Sequence, residues 1–221
     1  MKPLPNNAVI VWDWNGTIID DAALFVSILN IFLKKYSMNT ISIQEYKKLF
    51  CFPVENYYKK LGFNLTNNQF KALSSEFIHL YKSKMFSPSL KPGILTIIKY
   101  LHNQGYTQLV LSAQEKTLLK KSIKHYNLEL FFDNFFGLNN NYAKSKQSIA
   151  KEHLAPFLSS NKKVLLVGDT AHDYEVASSI GADCCLVSWG HYSKKRLDSL
   201  NCYIAKTPSL LFEYIHSFIQ S

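Results

Sequence analysis

Glycine and proline are scarce, at 8 and 7 of 221 residues, too few for a collagen-like or linker-dominated chain. Charge is sparse as well, 19% against 47% hydrophobic residues. That excludes intrinsic disorder, because chains that stay unfolded lack apolar surface to bury. No apolar run approaches the roughly 18 residues that span a bilayer, and Met1 to Asn7 contains no apolar signal-peptide core. A cytoplasmic location is the default expectation. Cys51, Cys184, Cys185 and Cys202 have neither C-x-x-C spacing nor histidine partners, so no disulfide framework or zinc site is indicated. Acidic residues are outnumbered 16 to 25, for a formal charge of +9. Such a balance can attract nucleic acid or phosphorylated small molecules. The lysines are dispersed in pairs such as Lys34-Lys35, Lys59-Lys60 and Lys120-Lys121, the pattern of solvated helix faces, and a dedicated nucleic-acid role is not favoured.

What is present begins near the N-terminus. Val9-Ile10-Val11-Trp12 is a β-branched and aromatic run suited to a buried parallel strand, and it stops at Asp13-Trp14-Asn15-Gly16-Thr17. In an open α/β sheet, ligands sit beyond the carboxyl ends of the strands, which is where Asp13 falls. The carboxylates of Asp20-Asp21 favour a helix start by capping and by the helix dipole, and residues from about 18 to 88 are almost entirely helical in pattern. Ser42 with Glu45 forms a capping box for a second helix, a third starts after Pro53, and Thr66 or Asn67 opens a long fourth. Pro92 suits the first turn of a further helix. Short apolar runs then alternate with helical stretches: Gln108 to Leu111, Val164 to Val167 and Cys184 to Val187 read as strands. Ser145 caps a helix, and an amphipathic helix runs from Leu210 to Ile219. This alternation predicts a doubly wound α/β fold around a parallel sheet. The first strand must join that sheet for its backbone to be paired, so the helical block is an insertion.

Four strand ends or following loops carry polar groups: Asp13, Ser112, Lys144 or Lys146, and Asp169 with Asp173. Each has an ordinary structural explanation as a turn residue, helix cap or surface charge. Together they make chemical sense, because carboxylates suit a hard cation such as Mg²⁺, while a hydroxyl, backbone amides and a lysine suit phosphate.

Asp13-Trp14-Asn15-Gly16-Thr17, Leu109-Val110-Leu111-Ser112, Lys146 (or Lys144) and Gly168-Asp169-Thr170-Ala171-His172-Asp173 resemble, in order, the four motifs of the haloacid dehalogenase-like hydrolases. The similarity is to phosphoglycolate-phosphatase-like members with a small helical cap. The resemblance implies a Rossmann-like core over residues 1–17 and 89–221 and an inserted cap over 18–88. It further implies a Mg²⁺-dependent phosphatase acting on a small phosphorylated metabolite through an aspartyl-phosphate. On that template Asp13 is the nucleophile, and Asp13, the Asn15 carbonyl, Asp169 and Asp173 serve the metal. Ser112, Lys146 and the amides of Trp14 and Asn15 hold the phosphoryl group.

One position departs from the pattern. Family phosphatases usually carry a second aspartate where this chain has Asn15. An amide has no carboxyl proton to give, and general acid–base help is worth roughly 10²–10⁴-fold. The alternatives are a substrate with a good leaving group, a substitute acid such as His172 or His191, or a weakly catalytic protein that binds a phosphometabolite and retains the metal site. Phe50, Phe52, Pro53, Tyr57 and Tyr58 form an aromatic cluster suited to the core of the helical block or to a substrate entrance.

Overall fold

In a computed structural model of the chain, residues 7–139 and 145–221 are described. Strand β1 (Ala8–Trp12) is buried along its whole length. Its side chains alternate between two cores, Val9 and Val11 in one and Ile10 and Trp12 in the other, as a strand covered on both faces requires. Each aliphatic side chain buried this way contributes about 1.5–3 kcal/mol. The segment that aims Asp13 is therefore anchored by packing before its end becomes polar.

Helices α1 (Ala22–Lys35), α2 (Ile43–Leu49), α3 (Val54–Lys60) and α4 (Asn67–Lys84) follow without an intervening strand. Capping boxes at Ser42-Glu45 and Thr66-Gln69 satisfy the first backbone N–H groups of α2 and α4. Helix α1 packs on both α2 and α4. The chain continues through α5 (Ile94–Asn103), β2 (Thr107–Glu115), α6 (Lys116–His125), β3 (Asn134–Leu138), α7 (Lys146–Ser159) and β4 (Lys163–Gly168). It closes with α8 (Ala171–Ile180), β5 (Asp183–Val187), α9 (Lys194–Leu197), β6 (Tyr203–Ala205) and α10 (Pro208–Gln220).

Among the described residues the strands form one six-stranded parallel sheet in the order β3-β2-β1-β4-β5-β6. Side chains of α5, α6 and α10 cover the Trp12 face; those of α7 and α8 cover the Val9 face, in a core continuous with α1–α4. The chain steps outward from β1 to β2 and β3, then returns to β4 on the other side of β1. Such a reversal opens a crevice beyond the carboxyl ends of the two strands at the switch. Trp12 lies opposite both Val110 and Val167, so the residues that follow these three positions emerge there together. No helix among the described residues is long and apolar enough to cross a membrane.

Two local expectations shift. Helix α5 begins at Ile94 rather than at Pro92, because Gly93 takes φ +90°, outside helical geometry. Strand β2 runs past Ser112 to Glu115, with its register to β3 shifting between Leu111 and Glu115. The cap of α6 is consequently Glu115, whose carboxylate accepts the Thr117 and Leu118 N–H groups.

Candidate active site

Asp13 leaves β1 with its N–H donated to the Val167 carbonyl at 2.8 Å. Lys146 is the first residue of α7, where Ser145 caps the helix by accepting the Ser148 N–H. From that position it reaches between two carboxylates, donating to Asp13 Oδ1 and, at 2.5 Å, to Asp173 Oδ1. Lys144, the alternative lysine, lies outside the described residues. Asp173 sits in the first turn of α8, and its Oδ2 accepts the N–H groups of Asp169 and Thr170 and the Thr170 hydroxyl. It therefore serves as helix cap and lysine partner at once. Asp169 follows β4, and its Oδ2 accepts the His191 N–H at 2.5 Å. Asp13, Asp169 and Asp173 are all buried and present oxygens within 4.8 Å of one another.

One lysine serves two of the three carboxylates, and the imbalance appears in their acidities. Burial raises Asp13 above the ordinary carboxylate range; Lys146 opposes the rise and Asp173 adds to it. Asp169 is raised too, by burial first, against the opposing charge of His191. Burial acts the same way on Asp173, but the charge and hydrogen bond of Lys146 outweigh it and hold that carboxyl low. Lys146 itself, which burial would push down, is held above the usual lysine value by Asp13 and Asp173. No lysine or arginine among the described residues pairs with Asp169. An all-oxygen cluster with surplus negative charge fits a hard divalent cation. Two glycines keep it open: a Cβ on Gly190 would lie 2.1 Å from Asp169 Oδ2, and one on Gly16, at φ +75°, 2.4 Å from the same atom.

The Asn15 side-chain amide is engaged by two hydrogen bonds. Its Nδ2 donates to Asp21 Oδ2 at 2.6 Å and to the Tyr81 hydroxyl at 2.8 Å. A carboxylate can only accept, which fixes the amide orientation. Asp21, expected from sequence to help cap α1, makes no side-chain cap there. It is 1% exposed, and besides Asn15 it accepts the Gly16 N–H at 2.9 Å and faces His191 Nε2 at 3.2 Å. The other imidazole nitrogen, Nδ1, is 2.8 Å from the Tyr46 hydroxyl. Burial disfavours protonated His191, but the hydrogen bond and charge of Asp21, then Asp169, outweigh it and raise its pKa. Sequence reasoning missed Asp21, Tyr46 and Tyr81 as site residues. The one available signal was the doubled Asp20-Asp21, where a single acid would suffice to start a helix.

Ser112 is buried and accepts the Gln114 N–H at 3.1 Å, so its own hydrogen is the donor left for a ligand. Trp14 directs its indole N–H inward to Ser122 at 3.1 Å, leaving only its backbone at the site. His172 meets Phe52 in a tilted ring pair and faces Glu175 at 3.6 Å, apart from the Asp21–His191 network. Above the carboxylates lies a cavity of about 500 Å³, lined on the other side by α1–α4. All five members of the Phe50-to-Tyr58 aromatic cluster line it, and Phe50, Tyr57 and Tyr58 are buried as well. The cluster thus supplies packing and cavity wall together.

The sequence profile of the haloacid dehalogenase-like hydrolases matches residues 10–187. The chain belongs to this family. Among the relatives of this hydrolase is the phosphoglycolate phosphatase of Caulobacter vibrioides, 23% identical over 97% of this chain and 89% of its own. That of Aquifex aeolicus is 27% identical over 83% and 85%. A haloacid dehalogenase-like hydrolase from Streptococcus pneumoniae superposes with a TM-score of 0.78 at 19% identity, covering 94% of this chain and 97% of its own. Protein tyrosine kinase A of Mycobacterium tuberculosis does so at 0.76 and 20%, over 94% and 97%. These two structural likenesses show the fold.

Proposed function

We propose that this hydrolase is a Mg²⁺-dependent phosphatase of a small phosphorylated metabolite, with residues 18–88 acting as a cap over a core formed by 1–17 and 89–221. The observation that carries this reading is Asp13 held by Lys146 within a buried three-carboxylate cluster at the sheet's switch point. Asp13, the Asn15 backbone carbonyl and Asp169 would hold the cation, with Asp173 orienting Lys146 or acting through water. When bound, Mg²⁺ offsets the charge that repels an anionic nucleophile from an anionic phosphoryl group.

A carboxylate oxygen of Asp13 attacks phosphorus in line, the bond to the leaving oxygen breaks, and water hydrolyses the resulting aspartyl-phosphate. Lys146 fixes the Asp13 carboxylate and supplies positive charge near the phosphoryl oxygens. The Ser112 hydroxyl and the Trp14 and Asn15 backbone amides bind those oxygens. Asn15 cannot protonate the leaving group, and its side-chain hydrogens are engaged by Asp21 and Tyr81. Turnover should therefore favour substrates whose leaving group departs without a proton. The same observation supports a second reading, a weakly catalytic phosphometabolite-binding protein. Phosphate release from acetyl phosphate, an aryl phosphate and sugar and nucleotide monophosphates, compared between wild type and Asp13→Asn with Mg²⁺, separates the two. Absence of Asp13-dependent release across the panel would overturn the phosphatase reading in favour of the second.

A further inference from the structure

The cavity wall facing the carboxylates is aromatic. Phe25, Phe50, Tyr57, Tyr58, Phe77 and Tyr81 all line it, and they meet as edge-on or tilted pairs, with Phe25–Tyr81 centroids at 5.3 Å and Phe50–Tyr57 at 5.3 Å. Such walls favour a flat ring as guest, because aromatic edges and faces attract each other. Among the described lining residues, the only lysine or arginine is Lys146, already placed between Asp13 and Asp173. Both nitrogens of His191 are engaged, and His172 faces Glu175. A carboxylate on the substrate's organic group would be buried here without a cationic partner. A cavity of about 500 Å³ is also in the range that encloses ligands larger than a two-carbon acid.

Two residues that line the cavity each carry a buried polar atom without a partner among the described residues: the Tyr57 hydroxyl and Gln114 Oε1. Tyr57 is 3% exposed, and a buried phenol left unpaired calls for a missing partner.

We infer that the substrate is an aryl phosphomonoester whose aryl group carries no charge, its ring enclosed by the aromatic wall and a polar substituent hydrogen-bonded to Tyr57 or Gln114. This rests on the phosphatase reading above. It also meets the requirement set by Asn15. Asp13 Oδ bonds to phosphorus, the aryl O–P bond breaks, and the electron pair leaves on a phenolate, which then takes its proton from water. Water adds to the aspartyl-phosphate, releasing inorganic phosphate and restoring Asp13. A phenol, with a pKa of about 10, leaves as its anion far more readily than an aliphatic alcohol.

The test uses the full chain with Mg²⁺ and four substrates: 1-naphthyl phosphate, acetyl phosphate, decyl phosphate and 2-phosphoglycolate. The expected kcat/KM for 1-naphthyl phosphate exceeds the other three by at least about tenfold. Ser74→Trp, which would crowd a wall residue on α4, should lower the naphthyl-to-acetyl ratio by about fivefold or more. Turnover in which acetyl phosphate, decyl phosphate or 2-phosphoglycolate matches 1-naphthyl phosphate would overturn the aryl assignment and leave the phosphatase reading standing. Independently of turnover, calorimetry should show 1-naphthylmethylphosphonate binding at least about tenfold more tightly than methylphosphonate. Equal affinities would overturn the aryl assignment even if no substrate were hydrolysed, whereas the predicted difference without hydrolysis would overturn the phosphatase reading alone.

Discussion

The side-chain amide of Asn15 donates to the buried carboxylate of Asp21 at 2.6 Å. The pair places a carboxylate one hydrogen bond behind the position where related phosphatases carry an acid, and it ties that position to His191 and Tyr46. Restoring an aspartate at position 15 therefore involves two residues.

Asn15→Asp alone would set two carboxyl groups against each other in a buried site, where one must keep its proton. Its expected cost in unfolding free energy is about 1–3 kcal/mol. Asn15→Asp with Asp21→Asn keeps the hydrogen bond with donor and acceptor exchanged. The double variant should recover stability and raise kcat on an alkyl phosphate by roughly tenfold or more, with little change on acetyl phosphate. Equal gains on both substrates would show that leaving-group protonation is not what limits the enzyme.

Gly190→Ala tests the space reserved for Asp169. The added Cβ would stand 2.1 Å from Asp169 Oδ2, so that carboxylate must move. Mg²⁺ affinity should fall by about 10–100-fold, the usual cost of disturbing a ligand's support. A metal titration giving wild-type affinity would remove Asp169 from the metal set.

Stability should depend on pH and metal together. The carboxyls of Asp13 and Asp169 are raised on folding, so above the ordinary value of 3.8 the native state holds protons that the unfolded chain has lost. Stability then falls as pH rises through that window. The raised His191 acts in the same direction, contributing stability below its unfolded value that is lost at higher pH. Asp173, held low, contributes stability that is lost only on acidification. In chelator the melting temperature should drop between about pH 5 and about pH 8. Mg²⁺ at 100 times its dissociation constant adds about 2.7 kcal/mol, with most effect at the upper end. A melting temperature that stays flat or rises across this range in chelator would contradict the assigned shifts.

Tyr57→Phe removes a hydroxyl that is buried without a partner among the described residues. The variant should unfold at higher temperature, gaining about 1 kcal/mol, and should bind hydroxylated aryl phosphates less tightly than wild type. A lowered melting temperature would mean that the hydroxyl is satisfied within the protein after all.

Much of the fold was legible because it depends on short-range patterns. Apolar runs ending in Asp13 and Gly168-Asp169, a glycine-poor helical stretch and the cap residues Ser42, Thr66 and Ser145 are each readable within a few positions. The convergence of Asp13, Lys146, Asp169 and Asp173 was also legible, because parallel strands bring their carboxyl ends to one side of a sheet. Pro92 misled because the left-handed Gly93 after it, rather than proline geometry, sets where α5 begins.

Asp21 marks where local reading ended. In sequence it is one of two acids before a helix; in space it accepts from Asn15 and Gly16 and faces a histidine 170 positions away. Its role depends on α1–α4 closing over the strand ends, which brings Tyr46, Tyr81 and His191 around one buried carboxylate. The aromatic residues likewise became a cavity wall only through packing, since composition does not distinguish a side chain that fills a core from one that borders a space. Secondary structure and the carboxylate cluster follow from periodicity and topology, which the residue order contains. The shape and polarity of the cavity follow from how distant helices meet, which no local pattern contains.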